Sequence, residues 1–238
     1  MQRSEKIKFL VLRSIGNFLV LLSIYGVLAT FGPAVMFEVK YRIKEARGVE
    51  YTVSDLAGDL DTSASDTDIK PDNTMSFGQL LSGETKQSIV PTDANFSIVI
   101  PRIGASSRVI PNVDPSDPSV FKPALMQGVA HAKGTVFPGL PGNTYIFAHS
   151  TDSWWNVGRY NAVFYLLKDL QPGDDIVVFF EGIRHNYVVE KTFIADPSEV
   201  SYLINSHDGP EQLVLQTCWP PGTTWKRLFV IAKPKAAG

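Results

Sequence analysis

The sequence predicts a mostly β domain, a barrel or sandwich with a few short helices, carried behind one N-terminal membrane-spanning helix. Three observations predict it. Short apolar runs bounded by Gly, Pro and polar turn residues recur from residue 96 to residue 232; helical patterning is confined to two brief segments; and residues 14–37 contain no charged side chain. Strands this short and closely spaced are the pattern of a closed or two-layered β fold. A helix needs about 20 mostly apolar residues to cross a bilayer core, and the uncharged run is long enough.

Residues 1–13 are mixed and mostly basic, with Arg3, Lys6, Lys8 and Arg13 against Glu5, and are expected on the cytoplasmic side. The run 14–37 is longer than most core helices, and no clear Ala-x-Ala cleavage site stands after it, so it is expected to stay as an anchor in contact with membrane lipid. Lys40, Arg42, Lys44 and Arg47 behind the span reduce the charge asymmetry. Residues 38–92 are expected to continue the helix out of the membrane and then form an acidic flexible linker. There, Asp55, Asp59, Asp61, Asp66, Asp68 and Asp72 are interleaved with Ser, Thr and Gly, and such a stretch buries too little apolar surface to offset the entropy of ordering it. No EF-hand spacing closes on a Glu, so it reads as a solvated tether rather than a calcium site.

The folded domain is expected over residues 93–235, with 236–238 a tail. Its strands are expected at 96–100, 107–110, 144–148, 175–180, 187–192, 212–217 and 227–232, and its helical pieces at 118–126 and 163–170. With 238 residues, 44% hydrophobic and 19% charged, the chain has room for one domain and some extra segments. A net charge of −2 leaves no global basic footprint, so nucleic acid is not an expected partner.

Cys218 is the only cysteine. It ends an apolar run, precedes a Pro220-Pro221-Gly222 turn, and is followed by Arg227 where the next apolar run begins. An unpaired thiol outside the cell is exposed to oxidation unless it is buried or used. A free thiol, with a pKa of about 8.5, is only about 3% ionised at pH 7; a guanidinium or an imidazolium beside it favours the thiolate. His149, at the end of the apolar run 142–149, is the best acid or base partner. Two reactive groups at two strand ends suggest one site. Lys226 is next to Arg227, but neighbouring strand residues point to opposite faces, so only one of them can face the thiol. His185 and His207 are expected in exposed turns, and His131 reads more as a structural hydrogen-bonder than as the catalytic group. His131, His149 and Cys218 lack the close ligand pairs of zinc sites, so neither metal nor cofactor is expected.

These segments together resemble the sortases, the cysteine transpeptidases that attach proteins to the bacterial surface. The resemblance rests on Val214-Leu-Gln-Thr-Cys218 against the family's Thr-Leu-x-Thr-Cys, with Val214 in place of the first Thr; on Arg227-Leu-Phe-Val230; and on Gly142-Asn-Thr-Tyr-Ile-Phe-Ala-His149. It extends over about residues 96–233, including Ile100-Pro-Arg-Ile103 and Gly128-Val-Ala-His-Ala-Lys-Gly134. It implies a closed β-barrel lying outside the membrane, with Cys218 as nucleophile, His149 as acid and Arg227 holding substrate or the oxyanion. The implied substrates are secreted proteins with an LPXTG-like sorting signal, cleaved through a thioester and passed to an amine of a peptidoglycan cross-bridge or a pilin lysine. Thr217, Trp219, Ser150 and His131 are candidate substrate contacts. Trp154, Trp155 and Trp225 are further groove candidates, with core or lid packing the plainer reading of each tryptophan, and the connection 195–210 is expected to help form the groove. The subclass stays unassigned: no second span follows Val230 and no lid motif with an aromatic after Asp-Pro precedes the barrel, which favours general protein anchoring over pilin polymerisation. A thiol hydrolase using the same Cys-His pair, and a membrane-tethered binding module with an inert thiol, are the alternatives.

Overall fold

The structure is a computed structural model that describes residues 3–46, 48–54, 86–150 and 162–236. Helix α1, Arg3–Ala46, is followed by strands β1 (Glu50–Val53), β2 (Lys86–Ile89), β3 (Phe96–Ile100) and β4 (Ala105–Val113). Helix α2 (Pro118–Leu125), β5 (Val129–Ala132) and β6 (Asn143–Phe147) come next, then a 3-10 helix at Ala162–Asp169, β7 (Asp175–Phe180) and β8 (Ile183–Ala195). Helix α3 (Ser201–Ile204), β9 (Gln212–Trp219) and β10 (Lys226–Pro234) complete the chain.

Eight strands close into a barrel in the order β10-β8-β7-β3-β4-β5-β6-β9, with β9 paired back to β10. The β4–β5 and β6–β9 pairs are parallel and the others antiparallel. Closure removes the exposed strand edges that an open sheet would present. Side chains alternate across each strand, and the register sorts them. Ile98, Ile100, Ile146, Leu213, Leu215 and Val230, all fully buried, belong to the main core. The intervening residues of β3 and β7, Val99, Val177 and Phe179, form a separate small cluster.

The small cluster is closed by the segment expected to be a linker. β1 and β2 pair in parallel, and Val53 and Ile89 pack on Val99, Val177 and Phe179. Tyr51 lies against Gly104, where a Cβ would come within 3.1 Å of its ring. The linker expectation is corrected for residues 50–53 and 86–89, whose apolar side chains find a hydrophobic partner that only the folded barrel provides. The acidic positions from Asp55 to Asp72 lie outside the described residues.

Two more expectations change. Residues 129–132 form β5, a strand too short and too alanine-rich to stand out locally, held by pairing to β4 and β6 on either side. The helical piece expected at 163–170 is a 3-10 helix. Helix α2 begins where the sequence signals it, with Asp117 accepting a hydrogen bond from the Ser119 N–H at 2.8 Å and Pro118 in the first turn.

Along α1, the stretch long and apolar enough to cross a membrane is Ile7–Ala29, 23 residues, which at about 1.5 Å per residue spans roughly 34 Å. It overlaps the uncharged run 14–37 but starts earlier. Its apolar side chains, among them Phe9, Leu12, Phe18, Leu21 and Leu28, are exposed around the helix. A helix apolar on every side calls for a nonaqueous surrounding. Ser23 donates its hydroxyl to the Leu19 carbonyl at 2.8 Å, which satisfies it without solvent.

Candidate active site

Strands β9 and β10 set the site. Their antiparallel register places Cys218 directly opposite Arg227, Gln216 opposite Phe229, Thr217 opposite Leu228 and Trp219 opposite Lys226. Directly opposed residues share a face, with Cβ atoms about 5 Å apart. Arg227, not Lys226, is therefore the cation beside the thiol. The Arg227 guanidinium is steadied by its own strand, donating from Nη1 to the carbonyls of Thr224 and Lys226 at 3.1 Å each. Lys226 turns the other way and meets Asp196 at 2.6 Å.

His149 comes from the neighbouring parallel strand. β6 pairs with β9 up to Phe147↔Gln216, and the ladder continues one residue further through the Ala148 N–H donating to the Gln216 carbonyl at 3.2 Å. The Thr217 hydroxyl then donates to the Ala148 carbonyl at 3.0 Å. Both backbone groups of Ala148 are thus held by the strand that carries Cys218, and His149 follows immediately. The turn between β9 and β10 is tied to the same segment, the Gly222 N–H donating to Ser150 Oγ at 3.4 Å.

Cys218, His149 and Arg227 all line one pocket of about 410 Å³. Its floor is the outward face of β6, β9 and β10, with Tyr145, Phe147, Gln216 and Phe229; one wall is α2, with Phe121, Lys122 and Leu125, and the other is the β8–β9 connection, with Pro197, Glu199, Val200 and Leu203. That connection is moored by the residues before β6. The Asn143 N–H donates to the Ser206 carbonyl at 2.6 Å and its Nδ2 to the Tyr202 carbonyl at 3.1 Å. Gly142, at φ +112°, leaves room for Ser206, whose carbonyl oxygen would lie 2.3 Å from a Cβ there. The Gly142-Asn143 pair thus fastens the pocket wall while His149, at the other end of the same strand, reaches the pocket. Burial pushes the Tyr145 phenol well above its ordinary range, with the Arg227 charge opposing that and Glu199 adding to it.

Four candidate contacts are placed elsewhere. Thr217 is buried on the face opposite Cys218 and acts on Ala148 rather than on the pocket. Ser150 is buried and engaged with the β9–β10 turn. Trp219 shares its face with Lys226 and packs against the core. His131 is completely buried, stacked on Phe137 with centroids 4.5 Å apart; its Nε2 lies 3.0 Å from the Val136 carbonyl and its Nδ1 accepts from the Asn112 N–H at 3.4 Å. It has no surface to offer a substrate, and burial lowers its pKa. For Thr217 and Trp219 the reason is that nearness to the motif in sequence does not tell which face of a strand a side chain occupies. Trp154 and Trp155 lie outside the described residues. Trp225 is exposed in the β9–β10 turn. Tyr145, Gln216, Glu199 and Lys122, which do line the pocket, were missed; the first two were readable, because Tyr145 and Phe147 step back from His149, and Gln216 from Cys218, with the period of two of a strand.

Comparison with known proteins agrees with this geometry. The family profile of the Sortase domain matches residues 98–235. The chain is 26% identical over 155 residues to sortase D of Bacillus subtilis (strain 168), covering 63% of this chain and 69% of that protein. The crystal structure of sortase C-1 from Actinomyces oris superposes with a TM-score of 0.50 at 26% identity, covering 61% of this chain and 77% of that one. The Clostridium perfringens sortase D5 transpeptidase aligns with a TM-score of 0.48 at 23% identity, over 60% of this chain and 80% of that one. The profile takes in more than half of the chain, including the whole β6–β9–β10 face with Cys218, His149 and Arg227: the protein belongs to the sortase family.

Proposed function

We propose that this sortase, a member of a family of transpeptidases, is a membrane-anchored cysteine transpeptidase that cleaves an LPXTG-like sorting signal and joins the released protein to an amine. The observation that carries this reading is the convergence of Cys218, Arg227 and His149 on one pocket from three adjacent strands. Sγ of Cys218, as thiolate, attacks the scissile carbonyl carbon, and the Arg227 guanidinium stabilises the oxyanion with donors in a fixed fork. The C–N bond breaks as His149 protonates the leaving amine, giving a thioester and a neutral imidazole. An incoming amine then attacks the thioester carbonyl, gives its proton to His149, and expels the thiolate as a new amide forms. The acceptor is an amine of the cell envelope, from a peptidoglycan cross-bridge or a pilin lysine.

In this reading the apolar part of α1 holds the chain in the membrane, the basic residues of 1–13 stay inside and the barrel works outside. The exposed, mostly apolar surface of that stretch and its length support anchoring.

The test uses the full chain in detergent micelles with quenched LPXTG-like peptides, with and without triglycine, read by mass spectrometry. A peptide joined to triglycine that disappears in Cys218→Ala is the expected result. Cleavage to the free acid alone, undiverted by triglycine or a lysine amine, would turn the reading to a thiol hydrolase. A thiol that neither turns over nor alkylates would leave a tethered binding module.

A further inference from the structure

The pocket floor is apolar except at two points. Tyr145 projects from β6 and Gln216 from β9, diagonal neighbours on the same face because Tyr145 pairs with Val214, two residues before Gln216. Both line the pocket. Among the described residues, neither side chain makes a hydrogen bond, and neither holds a buried polar atom without a partner, so both open onto the pocket. Around them stand Phe121, Leu125, Phe147, Leu203 and Phe229. A ligand that fills this space removes water from a phenol and a carboxamide, and leaving them unpaired is costly.

From these contacts we infer that Tyr145 and Gln216 are specificity-determining residues that read an uncharged, hydrogen-bonding side chain of the sorting signal. The inference rests on the transpeptidase reading and sharpens its substrate class. Gln216 is two residues before Cys218 and Tyr145 four before His149, so at about 3.3 Å per residue they lie roughly 7 and 13 Å from the reacting end. An extended peptide with its scissile carbonyl at Cys218 has its second to fourth residues over them. The acyl side is the one that must stay seated, since it is held as the thioester until the amine arrives. The phenol donates, and the carboxamide both donates and accepts, which suits Asn, Gln, Ser or Thr. A purely aliphatic side chain leaves both protein groups unpaired.

The experiment uses the full chain in micelles and pairs of peptides that differ only by Asn against Leu, or Thr against Val, at the second, third or fourth position before the residue that bears the scissile carbonyl. At one position the polar member is expected to be preferred by about ten-fold in kcat/KM, the size of one well-made hydrogen bond. Gln216→Leu and Tyr145→Phe, which keep the size of the side chains, are expected to erase that preference, lowering kcat/KM for the polar peptide about ten-fold toward that of its aliphatic counterpart. Fluorescence anisotropy with Cys218→Ala and the same peptides reads the preference as affinity, without turnover. No preference at any position, a preference that survives both substitutions, or an equal loss for every peptide would overturn the inference. Failure of the transpeptidase reading looks different: no Cys218-dependent product from any peptide, whatever the anisotropy shows.

Discussion

On the β3–β7 side of the barrel, the outward residues Val99, Val177 and Phe179 are sealed by Val53 and Ile89 of the chain's own N-terminal segment. On the β6–β9–β10 side, the outward residues Tyr145, Phe147 and Phe229 floor an open pocket walled by α2 and the β8–β9 connection. Both faces are apolar surfaces of the same closed sheet, and an apolar face needs a cover. One has an internal cover and is structural. The other is left for a partner, and it is where the thiol, the imidazole and the guanidinium converge. The difference teaches that, among the described residues, the thiol, the imidazole and the guanidinium gather where the walls leave a pocket, not where the chain seals its own sheet.

The largest effect expected is at the open face. Arg227→Ala should lower kcat by roughly 10²–10³, the size seen when one donor to an oxyanion is lost, with thermal unfolding little changed because, among the described residues, the side chain bonds to carbonyls of its own turn. Arg227→Lys should recover a minor part, since it keeps the charge and loses the fork. A mild loss in kcat for Arg227→Ala would break the assignment of that face. Next comes the tie beneath it. Thr217→Val leaves the Ala148 carbonyl without its side-chain donor, which should cost about 1 kcal/mol in denaturant unfolding and about ten-fold in kcat, because His149 is the next residue and small misplacements of reacting groups are expensive.

The sealed face should respond in the opposite sense. Val53→Asp puts a charge on the cover, and the expected outcome is faster hydrogen exchange over residues 50–54 and 86–89, equivalent to a local cost of about 1–2 kcal/mol, with peptide turnover within about two-fold of the parent. Loss of activity as large as that of Thr217→Val would end the distinction between the faces.

Between the faces, in the interior they share, His131 is held neutral. Burial lowers its folded pKa below the ordinary 6.5, against a smaller opposing effect of the Val136 carbonyl. Between the two values the unfolded chain binds more protons, so this contribution is complete above about pH 6.5 and is lost as pH falls through the lower, folded value. His185, lowered by burial with Glu211 opposing, adds in the same direction. The unfolding temperature should therefore decline on acidification from pH 7 to 5, and less steeply in His131→Gln. The smallest effect is expected at Lys226→Ala. Its bond to Asp196 is exposed, and such pairs contribute roughly 0–1 kcal/mol; activity should be unchanged, in contrast with its neighbour Arg227.

Much of this was legible in the chain. The strand around Cys218, its Pro-Pro-Gly turn and the strand from Arg227 stand out because their apolar and turn residues act locally. So do the strand leading to His149, the Asp117-Pro118 start of α2 and the apolar N-terminal stretch. The pocket lining was less legible: Thr217, Trp219 and Ser150 were placed by closeness to the motif and His131 by resemblance, while Tyr145 and Gln216 were passed over although they alternate with His149 and Cys218. Period two assigns relative faces within one strand, but which face is the pocket depends on what packs there.

By itself, then, the sequence singled out Cys218 and His149 as the candidate nucleophile and its partner, the mostly β class and the segment suited to a membrane, since each rests on residue chemistry or on patterns spanning a few neighbours. Only the tertiary structure decided that Arg227 rather than Lys226 stands opposite Cys218, that β5 forms at all, that His131 is sealed among aromatic rings, and that residues 50–53 and 86–89 close the back of the barrel. Those outcomes depend on register and closure. They are chosen by how the whole apolar set of distant strands fits together, and no local stretch carries that information.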